Sequence, residues 1–109
     1  MMELYIIREK KDISATCIFD KNTQSFIVKK GSRVSTEIHR SNTFRGANSI
    51  EKYRSRYVKD NVVLTDVSFK SSSTAANFVT GSSTNGKTAW KNKNGVALGK
   101  ILEGGMNDE

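Results

Sequence analysis

The sequence predicts a small α+β domain, a mainly antiparallel sheet with two helices packed on one face in the order β-β-β-α-β-α-β. Three observations carry that prediction. Residues 13–20 alternate strictly, with Ile13, Ala15, Cys17 and Phe19 on one face and Ser14, Thr16 and Asp20 on the other, the period of a half-buried strand. From residue 47 the period lengthens, so that Ile50, Tyr53, Tyr57 and Val58 form one helical stripe. Residues 72–80 repeat that helical spacing with Ala75, Ala76, Phe78 and Val79 behind a run of Ser and Thr suited to an N-cap.

Taken in order, residues 4–8, 13–20 and 25–30 read as three strands. The linker Lys21-Asn22-Thr23-Gln24 has hairpin length and turn chemistry, so the second and third strands pair as neighbours. Residues 31–35 read as a turn leaving the sheet, and residues 41–46 as a polar loop with Phe44 as its anchor. The first helix covers residues 47–59, capped by Asn48 or Ser49. Val62-Val63-Leu64 and Val67-Ser68-Phe69 give a short strand or hairpin before the second helix, and Gly81 occupies the position of a helix C-cap glycine. Asn94-Gly95 then signals the turn of a closing hairpin anchored by Trp90. Residues 1–103 are expected to form one domain and residues 104–109 a flexible acidic tail.

Gly81-Ser82-Ser83-Thr84-Asn85-Gly86-Lys87-Thr88 satisfies the spacing of a phosphate-binding loop. Its flanks contradict that reading. A phosphate loop requires a buried strand before the first glycine and a helix after the Lys-Thr pair, whereas here a helix precedes and a turn follows. The segment after Thr88 also lacks room for the further βα units of a nucleotide-binding domain.

The chain has 109 residues, and 18 Lys and Arg against 11 Asp and Glu give a formal charge of +7. That balance favours an anionic partner. The sequence predicts neither a signal peptide nor a membrane span, and its one cysteine fits a reducing, cytoplasmic setting. Cys17 reads as a buried structural residue. His39 stands alone among polar residues, and the carboxylates Glu37, Glu51, Asp60 and Asp66 form no recognisable pair, so neither general acid/base nor metal chemistry is indicated. The expectation is a non-catalytic binding module without a cofactor.

Between Lys29 and Asp60 lie nine basic residues against three acidic ones, Glu37, Glu51 and Asp60, so this third of the chain carries most of the net charge. The nine are Lys29, Lys30, Arg33, Arg40, Arg45, Lys52, Arg54, Arg56 and Lys59. Lys52, Arg56 and Lys59 fall opposite the apolar stripe of the first helix, as a solvent-facing edge that either contacts phosphate or is simply solvated. A second candidate surface surrounds the closing hairpin, where Lys87, Lys91, Asn92 and Lys93 flank Trp90. Trp90 itself either stacks on a base or pins the core against Phe78 and Val79, and a lone tryptophan in a small domain favours the core.

The string SSSTAANFVTGSSTNGKTAWKNKNGVALGKIL, residues 71–102, resembles the closing motif of a bacterial domain-of-unknown-function family. Ser72, Ala75, Ala76, Val79, Gly81, Ser83, Asn85, Gly86, Trp90, Lys91, Gly95 and Leu98 occupy its positions, and SFIVKKGSRVS from residue 25 is similar to the family's strand ending in Lys-Gly-Ser-Arg. Two features depart from the pattern: no proline opens the second helix, and Thr80 replaces an aliphatic residue. The family is found at the C-terminus of GIY-YIG nucleases and in restriction-modification proteins, and it is similar to the restriction-enzyme adenine-methylase-associated (RAMA) domain. The resemblance implies an accessory module that recognises DNA, modified DNA included, beside a nuclease or methyltransferase partner.

The residues therefore nominated for duplex DNA, in preference to RNA, are Lys29, Lys30, Arg33, Arg54 and Arg56, with Asn85, Lys87 and Lys91 as a second contact. The alternative is a protein-docking module using exposed apolar residues such as Tyr5, Phe44 or Val96. An ATP-dependent enzyme built on Lys87 and Thr88 is the third and weakest reading.

Overall fold

The computed structural model describes residues 1–39 and 46–104. It is an α+β domain. Strands β1 (Met2–Arg8), β2 (Ile13–Asp20), β3 (Ser25–Val28) and β6 (Val67–Phe69) form one antiparallel sheet in the order β1-β2-β3-β6. Helices α1 (Ala47–Tyr57) and α2 (Ser72–Thr80) cover one face of it, and β4 (Val58–Lys59) pairs with β5 (Val62–Val63) as a separate hairpin. Two short helices, α3 (Gly86–Ala89) and α4 (Leu98–Glu103), close the chain.

The strict alternation in β2 has the consequence its period requires. Opposed residues of antiparallel strands project from the same face, and the register sets Leu4, Cys17, Val28 and Val67 in one row and Phe19, Phe26 and Phe69 in the next. All seven are buried beneath the helices. The Phe19 and Phe26 rings stack with centroids 4.5 Å apart, while Tyr53 of α1 meets Phe69 at 4.9 Å and Phe69 meets Phe78 of α2 at 5.2 Å. Each fully buried aromatic or aliphatic side chain stabilises the fold by about 1.5–3 kcal/mol.

Three local expectations are corrected. Residues 31–35 do not leave the sheet. After a bulge at Lys30–Ser32, Arg33 rejoins β2 through reciprocal backbone bonds to Ser14 of 2.9 and 3.1 Å. At the bulge the Thr16 N–H donates to the Ser32 hydroxyl at 3.1 Å, so a side chain replaces the missing ladder acceptor. The first helix ends at Tyr57, because Val58 turns extended and Asp60 and Asn61, with φ of 54° and 66°, form a two-residue hairpin loop that pairs Val58-Lys59 with Val62-Val63. The closing hairpin turns over residues 92–95 as expected, but its final strand shrinks to a single bridge between Lys91 and Ala97, flanked by α3 and α4, where Leu98, Ile101 and Leu102 pack inward at helical spacing. Arg40, Phe44, Arg45 and most of the tail lie outside the described residues.

Candidate nucleic-acid interface

The phosphate-loop string is explained by packing. Gly81 ends α2 in the left-handed region at φ 72°, and a Cβ there would fall 2.2 Å from the Glu37 carbonyl oxygen. A Cβ on Gly86 would lie 2.3 Å from the Ser72 carbonyl carbon, so this glycine lets the start of α3 press against the start of α2. The intervening residues are held locally: Asn77 Oδ1 accepts from the Thr84 N–H at 2.8 Å, and Ser73 Oγ accepts from the Gly86 N–H at 3.0 Å. A helix enters the string where a phosphate loop needs a strand. Trp90 is fully buried with its indole N–H donating to the Ser72 carbonyl at 3.0 Å, so the core role is the one observed.

The nominated cations do not gather on one surface. Arg54 is buried, and its guanidinium donates to the Phe78 carbonyl at 2.9 Å, the Val79 carbonyl at 3.2 Å, the Ser35 carbonyl at 2.6 Å and the Ser35 hydroxyl at 2.8 Å. Phe78 and Val79 carry carbonyls of the last turn of α2, which a helix leaves without internal partners and which a cation satisfies. Burial pulls the Arg54 pKa down to about 10, still far enough above neutrality to keep the charge. Arg54 is thus a clamp between α1, α2 and Ser35, and it is unavailable to phosphate. The helical stripe had hidden this, since a long stem on the edge of an apolar face carries its charge inward or outward according to which acceptors wait there.

Arg56 and Lys52 are exposed on α1, where they line a shallow depression with Ser49, Tyr53, Ser55 and Tyr57. They belong to the helical layer. Lys29 and Arg33 belong to the opposite, uncovered face, and each already meets a carboxylate: Lys29 Nζ lies 2.9 Å from Asp66 and Arg33 Nη2 lies 2.8 Å from Asp12. Asp66 also accepts from the Lys30 backbone N–H at 2.8 Å, and that bond, followed by the one from Lys29, holds its carboxyl below the usual range. Such exposed pairs contribute only about 0–1 kcal/mol each and exchange readily for another anion. Asn85 caps α3 by accepting from the Lys87 N–H at 2.9 Å, and Lys87 is exposed on that helix.

What the fold does bring together is a row across the uncovered sheet face. Tyr5 exchanges backbone bonds of 2.7 and 3.0 Å with Lys91, faces Thr16 on β2, and Thr16 in turn accepts from the Lys29 N–H at 2.9 Å. Lys91, Tyr5, Thr16 and Lys29 therefore project side by side. Ile7 is 61% exposed in the row on one side, and the partly buried Ile18 and Ile27 lie opposite each other in the row on the other side. Lys91 is held there by a hairpin: it bridges Ala97, the Gly95 N–H donates to the Asn92 carbonyl, and Asn92 Oδ1 accepts from the Asn94 and Val96 N–H groups, each at 2.9 Å. The sequence offers Tyr5 only as an apolar docking residue, because its neighbour Lys91 is remote along the chain and no local pattern links them.

Beside Tyr5 the surface dips twice. One depression of about 370 Å³ is lined by Tyr5, Ile7, Lys91, Asn92, Lys93 and Gly95. A larger cleft of about 740 Å³ lies between the start of β1, the hairpin and α4, with Glu3, Tyr5, Lys93, Val96 and Lys100 among its walls. Among the described residues no group of three His, Cys, Asp or Glu side chains could hold a metal ion, and no helix is long and apolar enough to cross a membrane.

The architecture defines a small two-layer α+β domain, helices on one side of a four-stranded antiparallel sheet and an open face on the other. Residues 5–102 match the profile of the family described as Domain of unknown function (DUF4357), and the chain belongs to that family. Neither the curated proteins nor the solved structures contain a match.

Proposed function

We propose that this protein is a non-catalytic accessory module that binds nucleic acid, DNA in preference to RNA, through the uncovered face of its sheet. The single observation that carries the reading is the cross-strand row Lys91–Tyr5–Thr16–Lys29, which sets an aromatic residue directly beside one lysine and one strand away from another. Stacking surface beside cations is what a base with its phosphate needs. The apolar residues of this face, Ile7, Ile18 and Ile27, favour the reading over simple protein docking because Lys29, Arg33, Lys91 and Lys93 stand around them. The resemblance to modules accompanying GIY-YIG nucleases and restriction-modification enzymes supports a place beside such a partner in the cytoplasm, where modified DNA is one target class.

Fluorescence anisotropy with labelled DNA at low salt tests the proposal. The native protein binds, and a Lys91→Ala/Lys93→Ala variant, altered only at exposed positions, binds at least about tenfold more weakly, as loss of two phosphate contacts requires. Equal binding by both proteins would refute the assignment of this face. A Lys52→Ala/Arg56→Ala variant serves as the control and retains affinity within about threefold.

A further inference from the structure

We infer, resting on the nucleic-acid reading above, that the strand this surface takes is single, with an unpaired base lodged against Tyr5 in the depression beside Ile7. Four observations lead there. The Tyr5 ring is a wall of both the 370 Å³ depression and the 740 Å³ cleft, so a chain running from one to the other must cross it. Its hydroxyl donates to the Glu3 carboxylate, which fixes the phenol on the strand and holds its pKa above the ordinary value. Lys91 and Lys93 stand at the depression, Lys93 and Lys100 at the cleft, so a cation accompanies the path on each side of the ring. The floor between them is apolar: Ile7 is 61% exposed and Val96 40%.

A duplex satisfies little of this. Its bases are stacked inside, and it would present phosphates to Ile7 and Val96 while leaving the ring without a partner. An unpaired base has a free π-face, covers the isoleucine and leaves its flanking phosphates within reach of Lys91 and Lys93. Both hollows fall within the size of small-ligand sites, about 300–1,000 Å³, and neither needs the chain to rearrange. Among the described residues Glu3 is the one carboxylate lining the path, and it opposes phosphate in proportion to its charge.

The experiment is a competition between a labelled thymidine dodecamer and a hairpin duplex of equal charge, with Tyr5→Phe, Tyr5→Leu and Lys93→Glu variants. The expected result is tighter binding of the single strand, retained in Tyr5→Phe and reduced about ten- to hundredfold in Tyr5→Leu, the loss of one stacked base. Lys93→Glu, at an exposed position of the turn, weakens single-strand binding without touching the ring. Equal affinity for both forms, with Tyr5→Leu unchanged, overturns the single-strand inference and leaves nucleic-acid binding standing. No binding of either form overturns both.

Discussion

Replacing Arg54 by Met removes the clamp while keeping the apolar stem. Two acceptors, the Phe78 and Ser35 carbonyls, would lose the guanidinium, whereas the Val79 carbonyl keeps the Ser35 N–H at 2.9 Å and the Ser35 hydroxyl keeps the Glu37 carbonyl at 2.8 Å. Each buried carbonyl left without a donor costs about 1–3 kcal/mol. Loss of a cation at the C-terminus of α2 adds about 0.3–2 kcal/mol, and release from the desolvation of the guanidinium returns part of the total. The net destabilisation is about 3 kcal/mol, which in a domain of this size lowers Tm by more than about 10 °C. Urea unfolding followed through the single, buried Trp90 measures it. Arg54→Lys, whose three donors cannot span four acceptors, falls between wild type and Met. Arg56→Ala, two positions away and exposed, stays within about 0.5 kcal/mol. An Arg54→Met protein within 1 kcal/mol of wild type, roughly the worth of one ordinary hydrogen bond, would refute the clamp.

Further outcomes follow from the same contacts. Gly86→Ala forces a methyl into the Ser72 backbone and destabilises by about 1–3 kcal/mol in thermal unfolding, with no change on adding ATP; nucleotide-dependent stabilisation would restore the phosphate-loop reading. Burial pushes the Cys17 thiol up to about 12, so alkylating reagents at pH 8 modify it only as fast as the protein opens, and labelling at the rate of a free thiol would contradict its position. Since the folded pKa is raised above the unfolded value, the unfolded chain releases this proton first, and stability falls between about pH 8.5 and 12 with a limiting slope of about 1.4 kcal/mol per unit; a Cys17→Ala protein loses that component of the alkaline slope. Glu3→Gln removes the carboxylate from the cleft and strengthens anion binding by a few-fold at low salt; weaker binding would mean that Glu3 organises the site through Tyr5 instead.

Much of the fold was legible because the relevant signals are local. The alternation of β2 fixed which residues face the helices, the Ser run and Gly81 bounded α2 at Ser72–Thr80, and the Lys21–Gln24 linker set the β2–β3 hairpin. The failures occur where the deciding partner is remote. Asp60-Asn61 lacks the glycine that usually marks a two-residue loop, yet both residues tolerate positive φ, and pairing of Val58-Lys59 with Val62-Val63 was enough to end α1 early. The return of Arg33 to β2 depends on a serine hydroxyl standing in for a backbone acceptor, which no periodicity reveals.

The candidate site was legible only in part. Lys29, Arg33 and Lys91 could be nominated as basic residues, but Lys91 joins the face of the other two only because the hairpin that carries it pairs with β1, remote along the chain. Charge counting along the chain could not separate Arg54, whose acceptors lie on α2, from Arg56, which meets solvent, although only two residues divide them.

The most direct test of the central claim is the salt dependence of single-strand DNA binding by the native protein and by Lys91→Ala/Lys93→Ala. Each phosphate contact contributes about 0.7 to the slope of log affinity against log salt concentration. The native protein should show a clear negative slope and the double variant one shallower by about 1.4, two contacts' worth. A native slope near zero, or identical slopes in the two proteins, would contradict the assignment of phosphate contacts to this face.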